Sequence, residues 1–269
     1  MNLTITRLVV CGDSLSVGVG DPAPRGARQP GDLYGWVHHL VERQPTLELV
    51  ANLARVGATA SRVRRTQLPL VAQHTPDIVS CIIGVNDVMS SGFDADAFEE
   101  NYDAVISGLA GIATRGVFTA TLHDVAAGLP ISGRRRAALR SRTAAANAVI
   151  ERVGERYSTW LFDVRIGATM GELNMLSADR LHPNGRGHQY LAAHVAEVLG
   201  RHGACPPGMA ATIPPPWPAH RRIAHGVRHA RWLITNVLWP RWNRSSPRGD
   251  GERITRDSAP APDRRCGAR

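Results

Sequence analysis

Short apolar runs that stop at a glycine alternate along this chain with longer amphipathic segments, and this alternation limits the fold more than any other feature. Residues 8–11 are apolar up to Gly12, and residues 77–83 are mostly apolar up to Gly84. Runs that are apolar on both faces are typical of buried parallel strands. Because these runs alternate with helical patterns, the sequence predicts an α/β fold with a parallel sheet covered on both faces.

The pattern predicts five strands and five helices. The strands are predicted at residues 8–11, 48–51, 77–83, 117–122 and 160–164. The helices are predicted at residues 36–43, 60–74, 96–113, 134–156 and 187–199, with Pro69 breaking or kinking the second helix. Functional residues gather at the carboxyl ends of strands in such sheets. The two sharpest strand ends, residues 12–14 and 84–87, are therefore the expected location of a site.

The net charge of +9 is confined to residues 201–269, where 13 Arg are opposed by four acidic residues. Residues 1–200 are neutral overall, which is ordinary for an enzyme domain. Proline-rich sequence after about residue 203 is typical of a linker. We therefore predict a folded domain at 1–202, a Pro-rich linker at 203–220, a basic amphipathic helix at 221–242 and a disordered tail at 243–269.

The predicted C-terminal helix carries Ile223, Val227 and Ile234 on one face and arginines mostly on the other. Three interpretations stay open. The apolar face packs on the folded domain, or the helix makes peripheral contact with an anionic membrane, or it binds a protein or nucleic acid. No nucleic-acid-binding motif is recognisable, so no specific nucleic acid is expected as a partner.

The N-terminus shows no basic segment followed by a long apolar stretch, and no run approaches the ~18 apolar residues of a membrane span. We therefore expect a cytoplasmic protein. The four Cys form no C-x-x-C pair and the His residues lack metal-ligand spacing, so we expect neither a metal nor a cofactor. Cys11 and Cys81 lie in apolar runs and are predicted to be small buried thiols.

Ser14 is the first candidate for chemistry. It follows the strand-ending Gly12 by two residues, and a glycine there permits a tight turn that lifts the next side chains to the rim of the sheet. A helix beginning just after Ser14 would direct backbone N–H groups towards an oxyanion at that rim. Taken alone, Gly-Asp-Ser is equally typical of a turn in which the serine caps a helix.

Asp179 and His182 form the second candidate pair. A carboxylate three residues before a His can accept a hydrogen bond from the imidazole Nδ1–H across one turn. The other ring nitrogen, Nε2, then stays free to take a proton from a serine. Without a partner, the same pair would be interpreted as an ordinary surface Asp–His contact.

Two further segments offer hydrogen-bond donors that suit an oxyanion. Gly57 follows the second strand and can present an unobstructed backbone N–H, and Asn86 follows the third strand and can present a side-chain amide. One such donor is typically responsible for about 2.7–4 kcal/mol of transition-state stabilisation. Each residue alone is also an ordinary turn residue.

Together, these four segments resemble the blocks of the SGNH (GDSL) hydrolase family. In chain order they are Gly12-Asp13-Ser14-Leu15-Ser16, Asn52 to Gly57, Gly84-Val85-Asn86-Asp87, and Asp179-Arg180-Leu181-His182-Pro183. The resemblance covers roughly residues 5–200. It implies a three-layer α/β/α sandwich with a five-stranded parallel sheet, similar to flavodoxin, and esterase or lipase-like chemistry without a metal.

By the same resemblance, Ser14 is the nucleophile, His182 the base and Asp179 its orienting partner. Ser14, Gly57 and Asn86 would supply the oxyanion hole. The expected substrate is a small-molecule or lipid ester. Acyltransferase, thioesterase or lysophospholipase activity at the same site stays open, and so does a non-catalytic ligand-binding role.

Four more residues near the expected site have open roles. Arg25 and Arg28 lie in the polar loop that follows the nucleophile and either meet an acidic substrate group or are solvated loop charges. Surface or capping roles are the default for His123 and His188, although His123 follows the fourth strand and therefore can line the pocket.

Overall fold

The computed structural model describes residues 5–23, 33–165 and 174–204, together with 218–220, 223–224, 226–227 and residue 231. A short 3-10 turn at Ala72–His74 follows the fourth helix. The helices and strands, in chain order, are β1 (Thr6–Gly12), α1 (Ser14–Val17), α2 (Gly35–Arg43), β2 (Leu47–Asn52), α3 (Ala60–Thr66), α4 (Leu68–Val71), β3 (Ile78–Ile82), α5 (Val85–Met89), α6 (Ala95–Ile112), β4 (Gly116–Ala120), α7 (Gly133–Arg156), β5 (Trp160–Phe162) and α8 (Gly185–Arg201).

The five strands form one parallel sheet in the order β2-β1-β3-β4-β5. The prediction of a five-stranded parallel sheet is confirmed. The chain first adds β2 on one side of β1 and then crosses to add β3 on the other side, so the order reverses at β1. Gly12 pairs with Ile82 in register, which places the end of β1 beside the end of β3. Ligands of open α/β sheets bind at such a reversal.

Helices cover both faces of the sheet, which gives the predicted three layers. Alternate residues of β1 point to opposite sides: Val9 and Cys11 join the core under α3, α6 and α7, whereas Leu8 and Val10 join the core under α2 and α8. Each fully buried aliphatic side chain contributes about 1.5–3 kcal/mol relative to an exposed one. Cys11 and its neighbour Cys81 are buried free thiols, as predicted.

The helix predicted at 60–74 is divided where its proline predicted a break. Helix α3 ends at Thr66, and α4 begins at Leu68 with Pro69 in its first turn. A proline fits a first turn because its missing N–H would have no partner there in any case. The residue at the break, Gln67, is buried, and its side chain is used in the site described below.

Three strands end earlier than predicted, β3 by one residue and β4 and β5 by two, and two helices are too short to be seen in the sequence pattern. Beyond Ala120 the backbone of Leu122 bonds to a side chain of α7, so β4 stops before residue 122. Helices α1 and α5 contain four and five residues, less than two turns, and such lengths carry no apolar period.

The packed part of the chain reaches residue 204, where the Ala204 carbonyl accepts a hydrogen bond from Thr6 Oγ1 at 3.0 Å. Most of the predicted linker at 203–220, helix at 221–242 and tail at 243–269 lies outside the described residues. The described positions at 219–231 are helical, and Ile223 and Val227 are exposed there. None of the described helices is long and apolar enough to cross a bilayer.

Candidate active site

The end of β1 presents Ser14 at the carboxyl edge of the sheet. Gly12 has φ +145°, and a Cβ there would lie 2.8 Å from both the Ile82 carbonyl oxygen and Ser16 Oγ, so only glycine fits this turn. Asp13 then caps α1 by accepting a hydrogen bond from Leu15 N at 3.0 Å. Ser14 is the first residue of α1, where its backbone N–H has no partner within the helix.

A buried glutamine holds the backbone immediately before this serine. Gln67 Oε1 accepts from Gly12 N at 2.8 Å, and Gln67 Nε2 donates to the Gly12 carbonyl at 2.9 Å. The amide therefore bonds to the strand end as a neighbouring strand would. The Gly12 carbonyl also accepts from Arg55 N at 3.1 Å, whereas the bond from Gly12 N to Gln67 satisfies a buried donor, and losing it would cost about 1–3 kcal/mol.

The side chains of Ser14, His182 and Asp179 form a continuous hydrogen-bonded chain. Ser14 Oγ lies 2.7 Å from His182 Nε2, and His182 Nδ1 lies 2.6 Å from Asp179 Oδ2. An ionised carboxylate can only accept, so the imidazole proton is on Nδ1 and Nε2 accepts from the serine hydroxyl. The structure thus brings together the three residues that the sequence predicted as a triad, across 168 positions.

Asp179 is held by more donors than its histidine partner alone. Its Oδ1 atom accepts from Ser177 Oγ at 2.7 Å and from the backbone N–H groups of Leu181 and His182 at 3.0 Å each. Burial alone would raise the pKa of Asp179. The hydrogen bonds from His182, Leu181 and Ser177 outweigh that effect and hold the pKa well below its usual range. The carboxylate therefore stays charged and fixes the imidazole.

The turn that carries Asp179 and His182 is braced by Asn184. The Asn184 amide nitrogen donates to the carbonyls of Asn174 and Leu176 at 2.8 and 2.9 Å, which closes the turn. Its amide oxygen accepts from Arg186 N and Gly187 N and so caps α8. One side chain therefore fixes both the turn and the start of the following helix.

The predicted oxyanion donors lie around the same strand ends. Asn86 Nδ2 donates to Asp13 Oδ2 at 3.2 Å and to the Ala58 carbonyl at 3.0 Å, so both amide hydrogens are engaged. Gly57 precedes Ala58 in an exposed loop with φ +73°, and its α-carbon faces open space. Asn86 therefore lies beside the turn that carries Ser14, and the Gly57 loop lies next to Asn86.

Two carboxyl groups near these donors titrate at unusually high pH. Burial raises the pKa of Asp13 to about 6, although its hydrogen bond from Leu15 N and the nearby His182 lower it. Burial also raises the pKa of Asp87 to about 6, against the lowering effect of the Ala60 N–H. Both carboxyl groups therefore change charge close to neutral pH.

A cavity that is open to solvent at its mouth adjoins Ser14 and His182, and it leaves about 40 Å³ for the centres of water-sized molecules. Its walls come from the ends of β3 and β4, from the turn that carries His182 and from α8. They are mainly apolar and include Ile82, Ile83, Ala120, Leu122, Leu181 and Leu191. The polar side chains of Ser14 and His182 therefore lie beside an apolar recess.

The default roles for two histidines were wrong. His188 is fully buried: its Nδ1 accepts from Trp36 N at 3.1 Å and its Nε2 donates to the Val19 carbonyl at 3.0 Å. Burial lowers the pKa of His188 to about 4, so it stays neutral and ties α8 to the segment after α1. His123 lines the cavity beside Ser14 and is half-buried. The sequence feature that indicated this location was the position of His123 directly after the predicted fourth strand.

Arg25 and Arg28 lie outside the described residues. Among the residues that are described, no three His, Cys, Asp or Glu side chains converge as metal ligands would. The chemistry that the described atoms offer is proton transfer from Ser14 to His182, with an electrostatic partner in Asp179 and hydrogen-bond donors near the serine.

Solved structures with similar folds include several esterases. LAE5, an alpha/beta hydrolase enzyme from the metagenome of Lake Arreo, Spain, is 23% identical with a TM-score of 0.56, covering 75% of this chain and 96% of its own. The acetylxylan esterase Axe2 from Geobacillus stearothermophilus is 19% identical with a TM-score of 0.54 and the same coverage. At these identities the likeness establishes the fold.

A psychrotrophic esterase, EstA from Pseudoalteromonas sp., gives a similar match, with 19% identity, a TM-score of 0.56 and coverage of 73% of this chain and 97% of its own. No curated protein sequence matches the chain. The sequence profile of the GDSL-like lipase/acylhydrolase family matches residues 10–190, which is more than half of the chain. With its parallel sheet and esterase-like fold, the chain belongs to this family of carboxylic ester hydrolases.

Proposed function

We propose that this protein hydrolyses carboxylic esters through an acyl-enzyme on Ser14. The observation that carries the proposal is the continuous hydrogen-bonded chain from Ser14 Oγ through His182 to Asp179, with distances of 2.7 and 2.6 Å. This arrangement has the geometry of an activated nucleophile, a base and an orienting carboxylate. Family membership supports ester hydrolysis in general.

In the first step, His182 Nε2 takes the proton of Ser14 as Oγ attacks the ester carbonyl carbon. The imidazolium that forms is stabilised by the charged Asp179, whose low pKa keeps it ionised. The tetrahedral intermediate then collapses, the bond to the alcohol oxygen breaks, and His182 returns the proton to the leaving alcohol. Water, deprotonated by His182, then attacks the acyl-enzyme. The bond between the acyl carbon and Ser14 Oγ breaks, His182 returns the proton to Oγ, and the acid is released.

The oxyanion needs hydrogen-bond donors that are free to bind it. The Ser14 N–H is available at the start of α1, and the Gly57 N–H donates no hydrogen bond to any described residue. Asn86 would contribute by exchanging its longer bond, the 3.2 Å contact to Asp13 Oδ2, for one to the oxyanion. The oxyanion competes best for that amide when Asp13 is protonated, because hydrogen bonds to a charged acceptor are about twice as strong as those to a neutral one.

The apolar recess beside Ser14 supports an acyl group of small to medium size as the part that stays on the enzyme. Because apolar walls desolvate whatever they enclose, a charged acyl group would lose more there than it gains. The alcohol must leave to solvent after the first step, so the enclosed recess suits the acyl part of the ester.

The test is hydrolysis of p-nitrophenyl esters from acetate to palmitate, with acid-quenched mass spectrometry of the peptide that contains Ser14. We expect turnover with a shorter-chain optimum and a transient mass increase of one acyl group on that peptide. Ser14→Ala should lose activity by about 10⁴-fold or more.

Ser16→Ala is the matched control, since Ser16 is equally buried and its Oγ makes no hydrogen bond. It should keep wild-type turnover. Turnover that survives in Ser14→Ala would contradict the proposed nucleophile.

A further inference from the structure

His123 is a cavity residue that the proposed triad mechanism does not use. It follows β4 by three residues at the carboxyl edge of the sheet and lines the recess shared by Ser14 and His182. The nearby His182 contributes to lowering the pKa of His123, which agrees with a short separation between the two rings. A polar ring in a largely apolar recess requires an explanation.

The backbone that carries His123 is held rigidly. Asn147, buried on α7, accepts from Leu122 N at 2.7 Å and donates to the Leu122 carbonyl at 2.9 Å. Thr121 Oγ1 donates to Asp163 Oδ1 at 2.9 Å and accepts from Val164 N at 3.0 Å. The two residues before His123 are therefore fixed by four hydrogen bonds, which preorganises the ring in the recess.

No described residue hydrogen-bonds to the His123 ring. The neighbouring Asp124 is committed elsewhere, because its carboxylate accepts from Arg140 at 2.8–2.9 Å and from Ala126 N at 3.1 Å. The other polar groups of the recess also have hydrogen-bond partners. Ser14 bonds to His182, and Asp13 accepts from Leu15 N and Asn86 Nδ2. Thr121 bonds to Asp163 and Val164.

The ring is neutral at physiological pH. Burial lowers the pKa of His123 to about 4, although the charge of Asp124 opposes this effect. A neutral imidazole has one N–H donor and one bare nitrogen acceptor. Neither ring nitrogen of His123 is among the sealed-off polar atoms without a partner, so water can reach the ring in the recess. A bound acyl group displaces that water, so a substrate group that replaces its hydrogen bonds is favourable.

We propose that His123 binds the acyl part of the substrate and that the preferred acyl group carries a hydroxyl, so that the substrate class is a hydroxyacyl ester. This inference rests on the proposed ester hydrolysis. A hydroxyl fits because it both donates and accepts and therefore pairs with either tautomer of the ring. A carboxylate or ammonium group does not fit, because the apolar walls would desolvate its charge.

The experiment compares p-nitrophenyl esters in isosteric pairs, in which a hydroxyl replaces a methyl group: lactate against isobutyrate, and 3-hydroxybutyrate against 3-methylbutyrate. For each pair, the ratio of kcat/KM values is divided by the ratio of the hydroxide-catalysed rates. We expect the wild type to prefer the hydroxyacyl ester of at least one pair by about tenfold. Because this corrected ratio compares two substrates of the same enzyme, a general loss of activity in a variant cancels.

His123→Leu should bring that ratio to about 1, and His123→Gln, which retains a donor and an acceptor, should recover part of it. Ser16→Ala serves as the control and should keep the wild-type ratio. A wild-type ratio near 1 for both pairs, or a preference that survives in His123→Leu, would overturn the proposal.

A second measurement does not depend on turnover. In Ser14→Ala protein, the ¹⁵N resonances of the His123 ring should shift when methyl 3-hydroxybutyrate or methyl lactate is added, and stay in place with the methyl-for-hydroxyl isosteres. Equal responses to both members of each pair would overturn the hydroxyl preference. Failure of the proposed function can be told apart from failure of the hydroxyl preference. If the proposed function fails, no ester will be hydrolysed in a Ser14-dependent way.

Discussion

The segment that delivers Ser14 and the segment that delivers His182 form two halves of one site, but different forces hold them. The nucleophile segment, residues 12–17, continues a central strand into a helix and is fixed by backbone pairing and by Gln67. The base segment, residues 174–184, is a turn with a single bridge between Leu176 and Pro183 and three backbone hydrogen bonds of its own. Side chains hold it further, above all Asn184.

Each segment also contains a carboxyl group, and the two respond to burial in opposite ways. Asp13 is more deeply buried and has few donors, so desolvation dominates and raises its pKa to about 6. Asp179 is partly buried, and its hydrogen-bond donors overcome desolvation and lower its pKa. The comparison teaches that the number of donors aimed at a carboxylate decides the sign of its pKa shift.

The largest effect is expected in the base segment. Asp179→Asn replaces an acceptor by an amide that can donate to His182 Nδ1, which would place the ring proton on Nε2, facing Ser14. We expect kcat to fall by about 10⁴-fold. Steady-state kinetics with a p-nitrophenyl ester measures the loss.

Ser177→Ala is the control for that variant, since it removes one donor and keeps the charged carboxylate. It should lower kcat by no more than about tenfold. An Asp179→Asn enzyme with near wild-type kcat would show that Asp179 does not orient the base.

Gln67→Met tests the nucleophile segment. It removes the Gln67 bonds to the buried N–H and carbonyl of Gly12, while the carbonyl keeps its bond from Arg55 N, so we expect a loss of about 1–3 kcal/mol in the free energy of unfolding. Displacement of Ser14 by about 1 Å should lower kcat by about 100-fold. Urea unfolding and ester kinetics measure the two effects.

Asn147→Leu is matched to Gln67→Met, because Asn147 makes the same pair of bonds to Leu122. It should cost a similar free energy of unfolding and lower kcat for p-nitrophenyl acetate less than Gln67→Met does. Equal losses of kcat in both variants would mean that Gln67 acts on stability alone.

Asn184→Ala removes the brace of the base segment together with the cap of α8, and we expect a loss of about 3 kcal/mol in the free energy of unfolding. Asn184→Asp separates the two roles, because a carboxylate still accepts from Arg186 N and Gly187 N but cannot donate to Asn174 and Leu176. Asn184→Asp should retain most of the helix cap and still show reduced kcat. Wild-type kcat in Asn184→Asp would show that the brace does not position His182.

The smallest effect concerns pH and Asp13. Its raised pKa means that the folded protein binds this proton more tightly than the unfolded chain does. The resulting stabilisation is full below pH 3.8 and is lost as pH rises through about 6. The free energy of unfolding of the wild type, minus that of Asp13→Asn, should therefore fall by about 2 kcal/mol between pH 4 and pH 7.

Asp179→Asn should give the opposite sign, because a lowered pKa stabilises the protein above pH 3.8 and that contribution is lost in acid. Urea unfolding between pH 4 and pH 7 measures the difference for Asp13→Asn, and urea unfolding extended below pH 3.8 measures the difference for Asp179→Asn. A difference for Asp13→Asn that does not change with pH would contradict the raised pKa.

Much of the fold could be predicted because the apolar runs and the helical periods are local. All five strands were located, since a strand buried on both faces must be apolar along its length. The short helices α1 and α5 were not visible, because the caps and tertiary contacts that stabilise a single turn leave no periodic pattern. The buried His188 was missed because a histidine with two backbone partners has the same sequence appearance as an exposed one.

The sequence by itself determined the order of elements, the glycine turn before Ser14 and the identity of the residues predicted to carry the chemistry. Only the tertiary structure decided that Ser14 and His182 meet at 2.7 Å, that both hydrogens of Asn86 are engaged, and that His123 lines the recess with no hydrogen-bond partner among the described residues. The physical reason is distance along the chain. A residue type and its neighbours set local geometry, whereas hydrogen bonds between residues 168 positions apart depend on how the whole sheet and its helices pack.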